Sequence, residues 1–469
     1  GSDPETLITL FKSFVRSIID YGALIYFPTQ KFLREKLERI QFIAIRLALG
    51  YRKTTPTNIL IAESKLPLLK ERVTQLCDCF VTKTLSNTNS LTFKAIKSYQ
   101  NICSRRRITK RTRILCQCLM SARDYHIIEA RNNFYIYCNE FCTTITAIPI
   151  DISLRSELRS GGIVKALLQN LLGKIKAVTI YTDGSKIPGS SSVGSACICP
   201  ELNITVIRSI NPHASVYTAE CCALNDALDV ALDHQDHNFF ILTDSLSALL
   251  ALHSPVAAIK TNSFILDVKR KYNQFNRNQH TSSINFIWIP SHVGIQGNED
   301  ADAAAKSGTH SRSLDILKVP YTDLRERFKL RAFQQTKEHI KKLGSVKGRK
   351  YFLKFFSESP VPWYSHKNLS RESVVSLNRM RADHYNLAAS LARVGIITDQ
   401  KCKCSYDYEN LNHVIWQCKL YDSKRPKLLE SLRKLGFQLP LDIDIFIATP
   451  NIKACTHILS YLKDCNLNI

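Results

Sequence analysis

The stretch "KIKAVTIYTDGSK" at positions 174–186 decides the fold. Its apolar run reads as a buried strand, yet the run ends on Asp183, which Gly184, Ser185 and Lys186 follow directly. A carboxylate at the end of a buried strand costs free energy unless something compensates it. Around this stretch the hydrophobic period is that of a sheet. "SVGSACICP" (192–200) and "NITVIRSI" (203–210) read as two further strands, joined by short Gly, Pro and Asn turns into an antiparallel meander. Helix "SVYTAECCALNDALDVALDH" (215–234), strand "NFFILTD" (238–244) and helices "SLSALLALHS" (245–254) and "NSFILDVKRKYNQF" (262–275) come next. Strand "SINFIWIP" (283–290) and helix "NEDADAAAKSG" (298–308) complete the series. Three strands followed by alternating helix and strand predict an α/β (α+β) domain, a mixed five-stranded sheet with helices packed on it.

Other carboxylates fall where apolar residues are expected. On the 215–234 helix, Glu220 shares a face with Leu224, Ala227 or Leu228, and Ala231, so it points with the apolar stripe toward the sheet. Asp226, Asp229 and Asp233 recur on the opposite face, which reads as solvated. "FFILTD" ends on Asp244, a second acid closing an apolar strand. "WIPSHVGIQGNEDADAAAK" then joins a strand to an acid-rich helix through a loop containing His292, and the residues alone leave Glu299, Asp300 and Asp302 as alternatives. Crowded carboxylates repel, and burial disfavours their charged forms. A hard divalent cation reverses that sign because oxygen is its preferred ligand. Two such ions about 3.5–4 Å apart can clamp the attacking water and the leaving oxygen of a phosphodiester, so no nucleophilic side chain is needed.

The charge is unevenly distributed. The 469 residues carry 64 Lys+Arg against 40 Asp+Glu, a net +24. Residues 175–310 hold nine basic and twelve acidic residues, a net of −3, which leaves +27 for the flanks. Clusters such as "SRRRITKRTR" (104–113) and "KKLGSVKGRK" (341–350) lie in those flanks, and a polyanionic partner is expected to meet them. No run of about 18 apolar residues and no secretory pattern is present, so an intracellular protein of nucleus or cytoplasm, with no membrane contact, is expected. The 16 cysteines then read as thiols or metal ligands of a reducing compartment. C-x-C occurs four times and is uninformative alone; Cys197/Cys199 lies in a strand and reads as core. Cys116/Cys118 with His126 and Cys138 has irregular gaps and is left unassigned.

Residues 1–95 read as amphipathic helices with basic residues between the apolar positions, 96–173 as a basic connector, 311–395 as a second basic helical connector and 426–469 as a helical tail. Within 396–425, Cys402-x-Cys404, His413 and Cys418 offer three thiolates and one imidazole. That set suits tetrahedral Zn²⁺, and four protein ligands imply a structural site. Trp288 reads as core; Trp363, in "SPVPWYSHK", is free to stack on a base or to pack.

"YTDGSK", "YTAECCAL", "ILTDSLSAL" and "IWIPSHVGIQGNEDADAAAK", in this order, resemble the four motif blocks of a ribonuclease H domain, in the variant carried by non-LTR retrotransposons of the jockey and I types. The resemblance implies a domain over 174–310 in which Asp183, Glu220, Asp244 and Asp302 coordinate two Mg²⁺ ions, with Mn²⁺ as a substitute. It implies that His292 assists proton transfer and product departure, and that Ser185 and Lys186 meet the substrate. "KLERIQFIAIRLALGYRKTTPTNILIAESKLPLL" is similar to the thumb region of the same elements' reverse transcriptases, and "RMRADHYNLAASLARVGIITDQKCKCSYDYENLNHVIWQC" to their terminal Cys/His segment. Upstream reverse-transcriptase domains of one polyprotein are therefore implied as partners, with RNA–DNA hybrid, RNA and DNA as ligands. No Tyr-x-Asp-Asp is present, and no polymerase activity is expected of this stretch. The chain departs from cellular ribonucleases H before Glu220, where Val216 and Tyr217 replace polar amides. Two rival readings keep the basic flanks: a catalytically inactive or co-opted nucleic-acid-binding module, and a DNA nuclease on the same fold.

Overall fold

The computed structural model of the chain describes residues 2–105, 114–122, 125–128, 146–157, 161–173, 176–255, 262–278 and 282–469. Residues 106–113 of the basic cluster and Cys138 lie outside them. The chain forms two compact units. One gathers Asp78–Ile108 and Cys116–Phe328; the other gathers Gly1–Cys77, Thr109–Leu115 and Lys329–Ile469.

The first unit is built on one mixed sheet. Its strands are β1 (Ile150–Asp151), β2 (Val178–Ser185), β3 (Val193–Cys199), β4 (Ile204–Ile210), β5 (Phe239–Thr243) and β6 (Ile284–Trp288), in the spatial order β1-β6-β5-β2-β3-β4. β2, β3 and β4 form the antiparallel meander; β2, β5, β6 and β1 run parallel. Every residue of β2 and β5 is buried, as expected of central strands covered on both faces. β4, with one covered face, alternates between half-buried and exposed over most of its length. The sheet has six strands where five are expected. The sixth, β1, pairs Ile150 with Phe286 and Asp151 with Ile287, inside what reads as connector. Two residues are too few to carry a period-2 signal.

The parallel register positions the acids. β2 and β5 pair from Val178↔Phe239 to Thr182↔Thr243, so Asp183 and Asp244 are the next residues on two adjacent strands. On its other side β2 continues along β3, through Asp183↔Ala196 to Ser185↔Gly194. Asp183 therefore ends the strand only on the β5 side.

The helix Val216–Asp233 starts at Ser215, whose Oγ accepts from the Thr218 backbone N–H at 3.1 Å. It buries Glu220, Leu224, Ala227, Leu228 and Ala231, the predicted face. Asp226 is a correction: it is buried rather than solvated, and the Arg208 guanidinium from β4 donates to both its oxygens at 2.7–2.9 Å. The helix packs against β3 as well as β2, so its covered sector is wider than a single stripe. Residues just past 310 also belong to this unit. Ile316 bridges Ile210 in parallel, Asp315 accepts from the Ser209 backbone N–H at 2.7 Å, and Asp323 accepts from the Ser215 N–H at 2.9 Å. The 315–316 segment occupies hydrogen-bonding groups at the end of edge strand β4, and Asp323 ties down the start of the next helix.

In the second unit the two ends of the chain share one core. Ile45, Leu49, Ile59 and Leu60 from the N-terminal helices join Leu377, Met380, Phe446, Ile458 and Leu462 from the C-terminal ones. At its centre the Arg381 guanidinium donates to Glu63 at 3.0 Å, both side chains being 2% exposed. Arg381 also donates to the carbonyls of Ile447, Ala448 and Phe355 at 2.6–2.9 Å. Trp363 packs against this core, its indole N–H donating to Asn378 at 3.0 Å and its ring lying 5.4 Å from the Arg381 guanidinium. Among the described residues, no helix is long and apolar enough to cross a membrane.

Replacing Glu63 by Gln leaves the Arg381 charge buried without its counter-ion. Equilibrium denaturation should show this unit destabilised by about 3–5 kcal/mol, and a Glu63→Leu/Arg381→Met double substitution should recover part of the loss.

Candidate active site and metal centres

Asp183, Glu220 and Asp244 each bring a carboxylate oxygen to one place, all three oxygens lying within 4.8 Å of one another. Strand ends supply two and the Val216–Asp233 helix the third. Asp183 and Glu220 are each 7% exposed, and Asp244 is half-buried. The close approach of helix to strand depends on Gly184. A Cβ there would lie 2.6 Å from the Glu220 backbone nitrogen and 2.9 Å from the Ala219 Cβ, so any side chain would push Glu220 away.

Among the described residues, the influences that oppose the charge on this group are outweighed by burial and by mutual repulsion. Burial, then the Asp244 and Asp302 charges, push Asp183 up to about 7, against smaller opposing effects of the Gly184 N–H and Lys306. Burial, then Asp183 and Asp244, raise Glu220 well above the usual carboxylate range. Burial also raises Asp244, opposed chiefly by His292. The Glu220 Oε2 atom is buried and accepts no hydrogen bond. An oxygen-only, electron-rich pocket with an orphaned carboxylate oxygen fits a hard divalent cation.

Asp302 is not in that trio. Its carboxylate groups with His292 and Glu299, the three ligand atoms again within 4.8 Å of one another. Its charge nonetheless bears on both Asp183 and Asp244, so it lies on the rim of the same pocket. The helix Gln296–Gly308 that carries it packs closely on the sheet at Gly194, where a Cβ would stand 1.8 Å from the Ala305 carbonyl oxygen. His292 is exposed, in a left-handed backbone conformation with φ 57°. Ser185 is buried at the end of β2, and the Lys186 ammonium donates to the Ala214 carbonyl at 2.6 Å.

Three further residues support the pocket. The Lys306 ammonium pairs with Asp302 at 2.6 Å, one helical turn away, and so supplies a positive charge at the rim. Asn298, buried at the start of the same helix, hydrogen-bonds Asp244. Trp288 is core as expected, and its indole N–H also donates to the Asp244 carbonyl at 3.0 Å, fixing the backbone that carries the acid. The i,i+4 spacing of Asp302 and Lys306 is readable in the sequence, whereas no local pattern marks Asn298 or Trp288.

The second unit contains the other candidate metal centre. Cys402, Cys404, His413 and Cys418 bring one ligand atom each within 4.8 Å of the others. The sulfurs of Cys402 and Cys418 are 3.7 Å apart, and Cys404 Sγ is 3.2 Å from His413 Nε2. The Tyr406 ring stacks on the His413 ring at 4.1 Å and 2°, holding the imidazole in plane. Burial pushes the Cys402 thiol up to about 12 and raises that of Cys418. Three sulfurs and one imidazole nitrogen, none in a disulfide, fit tetrahedral zinc. Cys116 and Cys118 are instead buried residues of the other unit.

Residues 175–310 match the RNase H family model, from the approach to β2 to just past the helix bearing Asp302. No curated protein matches the chain. The match supports a nuclease on this fold, and such a domain implies binding of RNA–DNA hybrids.

The raised Asp183 makes a prediction about stability. Its proton is held more tightly in the folded state (about 7) than in the unfolded chain (3.8). Without divalent cations, stability should therefore fall as pH rises from about 4 through about 7. Thermal melts should show Asp183→Asn removing much of that slope and melting several degrees higher at pH 8. Added Mg²⁺ should raise the melting temperature of the natural chain at pH 8 more than that of the variant.

Proposed function

We propose that this chain is a ribonuclease H that hydrolyses the RNA strand of RNA–DNA hybrids, with Asp183, Glu220, Asp244 and Asp302 as ligands of two Mg²⁺ ions. The observation that carries the reading is the trio of buried and half-buried carboxylates from three separate segments, with a buried, unpartnered oxygen on Glu220. A purely structural role would require enough cations or donors around these acids to offset their burial; among the described residues Lys306, His292, Asn298 and the Gly184 N–H oppose their charge without offsetting that burial.

In the reaction, a water oxygen bonds to phosphorus, the P–O3′ bond breaks and a proton ends on the departing O3′. The products are 3′-hydroxyl and 5′-phosphate ends. Bound Mg²⁺ would supply Lewis-acid activation of the water and stabilise charge on the leaving oxygen. The protein's own part is to hold Asp183 and Asp244 in register on paired strands, with Glu220 set against them by the close helix. His292, exposed and beside Glu299 and Asp302, is placed to pass a proton and to move as product leaves. Lys306 steadies Asp302, and Lys186 and Ser185, next to the first aspartate, are kept in this reading as substrate contacts, although Ser185 is buried and the Lys186 ammonium donates to Ala214.

Substrate grip is assigned mainly to the basic flanks, since the matched segment is net negative. Val216, exposed at the start of the helix, offers no polar contact there. In the element context that the motifs suggest, the activity removes template RNA after first-strand synthesis, alongside upstream reverse-transcriptase domains. The Cys402, Cys404, His413 and Cys418 site holds structural Zn²⁺ in this reading.

With a labelled hybrid and Mg²⁺, Asp183→Asn should lower cleavage at least 10³-fold, on the order of 4 kcal/mol of barrier, while hybrid binding changes little. Cleavage of duplex DNA at an equal rate would favour the rival DNA nuclease, and binding without turnover the inactive module. A zinc chelator, or Cys418→Ser, should lower the melting temperature of the second unit, with about one zinc per chain lost by elemental analysis.

A further inference from the structure

The second unit contains a cavity of about 410 Å³ that neither the nuclease reading nor the zinc centre uses. Lys12, Arg16, Lys65, Arg72 and Lys329 line it, and Glu5 is the only acid among the lining residues. Arg72 is already committed, donating to Asp20 at 2.9 and 3.1 Å, and the Lys65 ammonium donates to the Ser357 carbonyl at 2.8 Å. Lys12 and Arg16 come from a π-helical turn, Phe11–Arg16, inserted between α-helical segments. Such widened turns are rare and occur often at functional sites. The Arg16 Nε atom is buried and has no hydrogen-bond partner.

The arrangement is unfavourable for the protein alone. Burial and the neighbouring Arg16 both disfavour the charged form of Lys12, with Glu5 opposing. Burial and Arg72 do the same to Arg16, with Asp20 opposing. Gathering these cations into one recess adds repulsion. A tetrahedral oxyanion reverses each of these signs, because its oxygens accept from guanidinium and ammonium groups together.

We infer that this cavity binds a phosphate group, and that its source is the backbone of a nucleic-acid strand. The inference rests on the assignment of strand grip to the basic flanks and deepens it, but it does not rest on the catalytic chemistry, since the site belongs wholly to the other unit and binding needs no divalent metal.

The test uses the full chain and a fluorescent single-stranded DNA of about 20 nucleotides, longer than a typical 4–16-nucleotide site. Anisotropy is read across a salt series without added divalent cation. Lys12→Gln/Arg16→Gln should weaken binding about tenfold and reduce the salt slope by about 0.7–1.4, the loss of one or two phosphate contacts to a single strand. In a second arm, inorganic phosphate should raise the melting temperature of the natural chain and not that of the double variant. Without phosphate the variant should melt no lower than the natural chain, because repulsion has been removed. If it does melt lower, the single Lys12→Gln variant, changed at an exposed residue, repeats both arms. Lys36→Gln, outside the cavity, should leave the phosphate response intact. Unchanged DNA binding with a lost phosphate response would keep the site, assign it to free phosphate and overturn the strand as its source. A variant unchanged in both arms would overturn the site.

Discussion

Three carboxylates held together, two buried and one half-buried, govern the rest of this structure. Like charges at such spacing in a poorly solvated pocket cannot all ionise unless a cation joins them. The fold nevertheless spends close packing to keep them there. Gly184 gives up a side chain so that the Val216–Asp233 helix can bring Glu220 onto the end of β2. The β2–β5 register stops at Thr182↔Thr243, so that Asp183 and Asp244 emerge together. Trp288 and Asn298 then fix Asp244 from two sides. Each device makes an electrostatically unfavourable site more rigid, which is the expected signature of a pocket preorganised to hold a cation.

The two units handle charge differently. In the matched segment, acid gathers in a pocket and Arg208 neutralises the one buried acid, Asp226, that has a structural role. In the second unit, the buried Arg381–Glu63 pair is fully matched with carbonyl acceptors, while the recess around Arg16 is left with surplus positive charge. In the two pockets, Glu220 Oε2 and Arg16 Nε are buried atoms without a hydrogen-bond partner.

Much of the first unit is legible in the sequence because its signals are local. Alternating and continuous apolar runs mark β2 to β6, and an acid that closes such a run is conspicuous. Glu220 is readable because helical spacing aligns it with Leu224 and Ala231. The same rule misreads Asp226, since a helix packed on two strands buries more than one stripe and Arg208 makes its burial tolerable. The two-residue β1 is too short for a period to appear. The rim position of Asp302 depends on how its helix lies over Gly194, a tertiary fact. In the second unit, the shared core joins residues some 300 positions apart, such as Glu63 with Arg381, and no local pattern announces that pairing. The sequence leaves Trp363 open between base stacking and packing, and its bond to Asn378 places it with the core.

In the proposed reading, paired divalent cations complete this pocket. Crystals of the chain grown with Mn²⁺ and measured at the manganese absorption edge address it without recourse to activity. The account predicts two anomalous peaks among the carboxylates of Asp183, Glu220 and Asp244, one of them reaching toward Asp302. An empty pocket at saturating Mn²⁺, with Asp183 and Glu220 sharing protons instead, would contradict it.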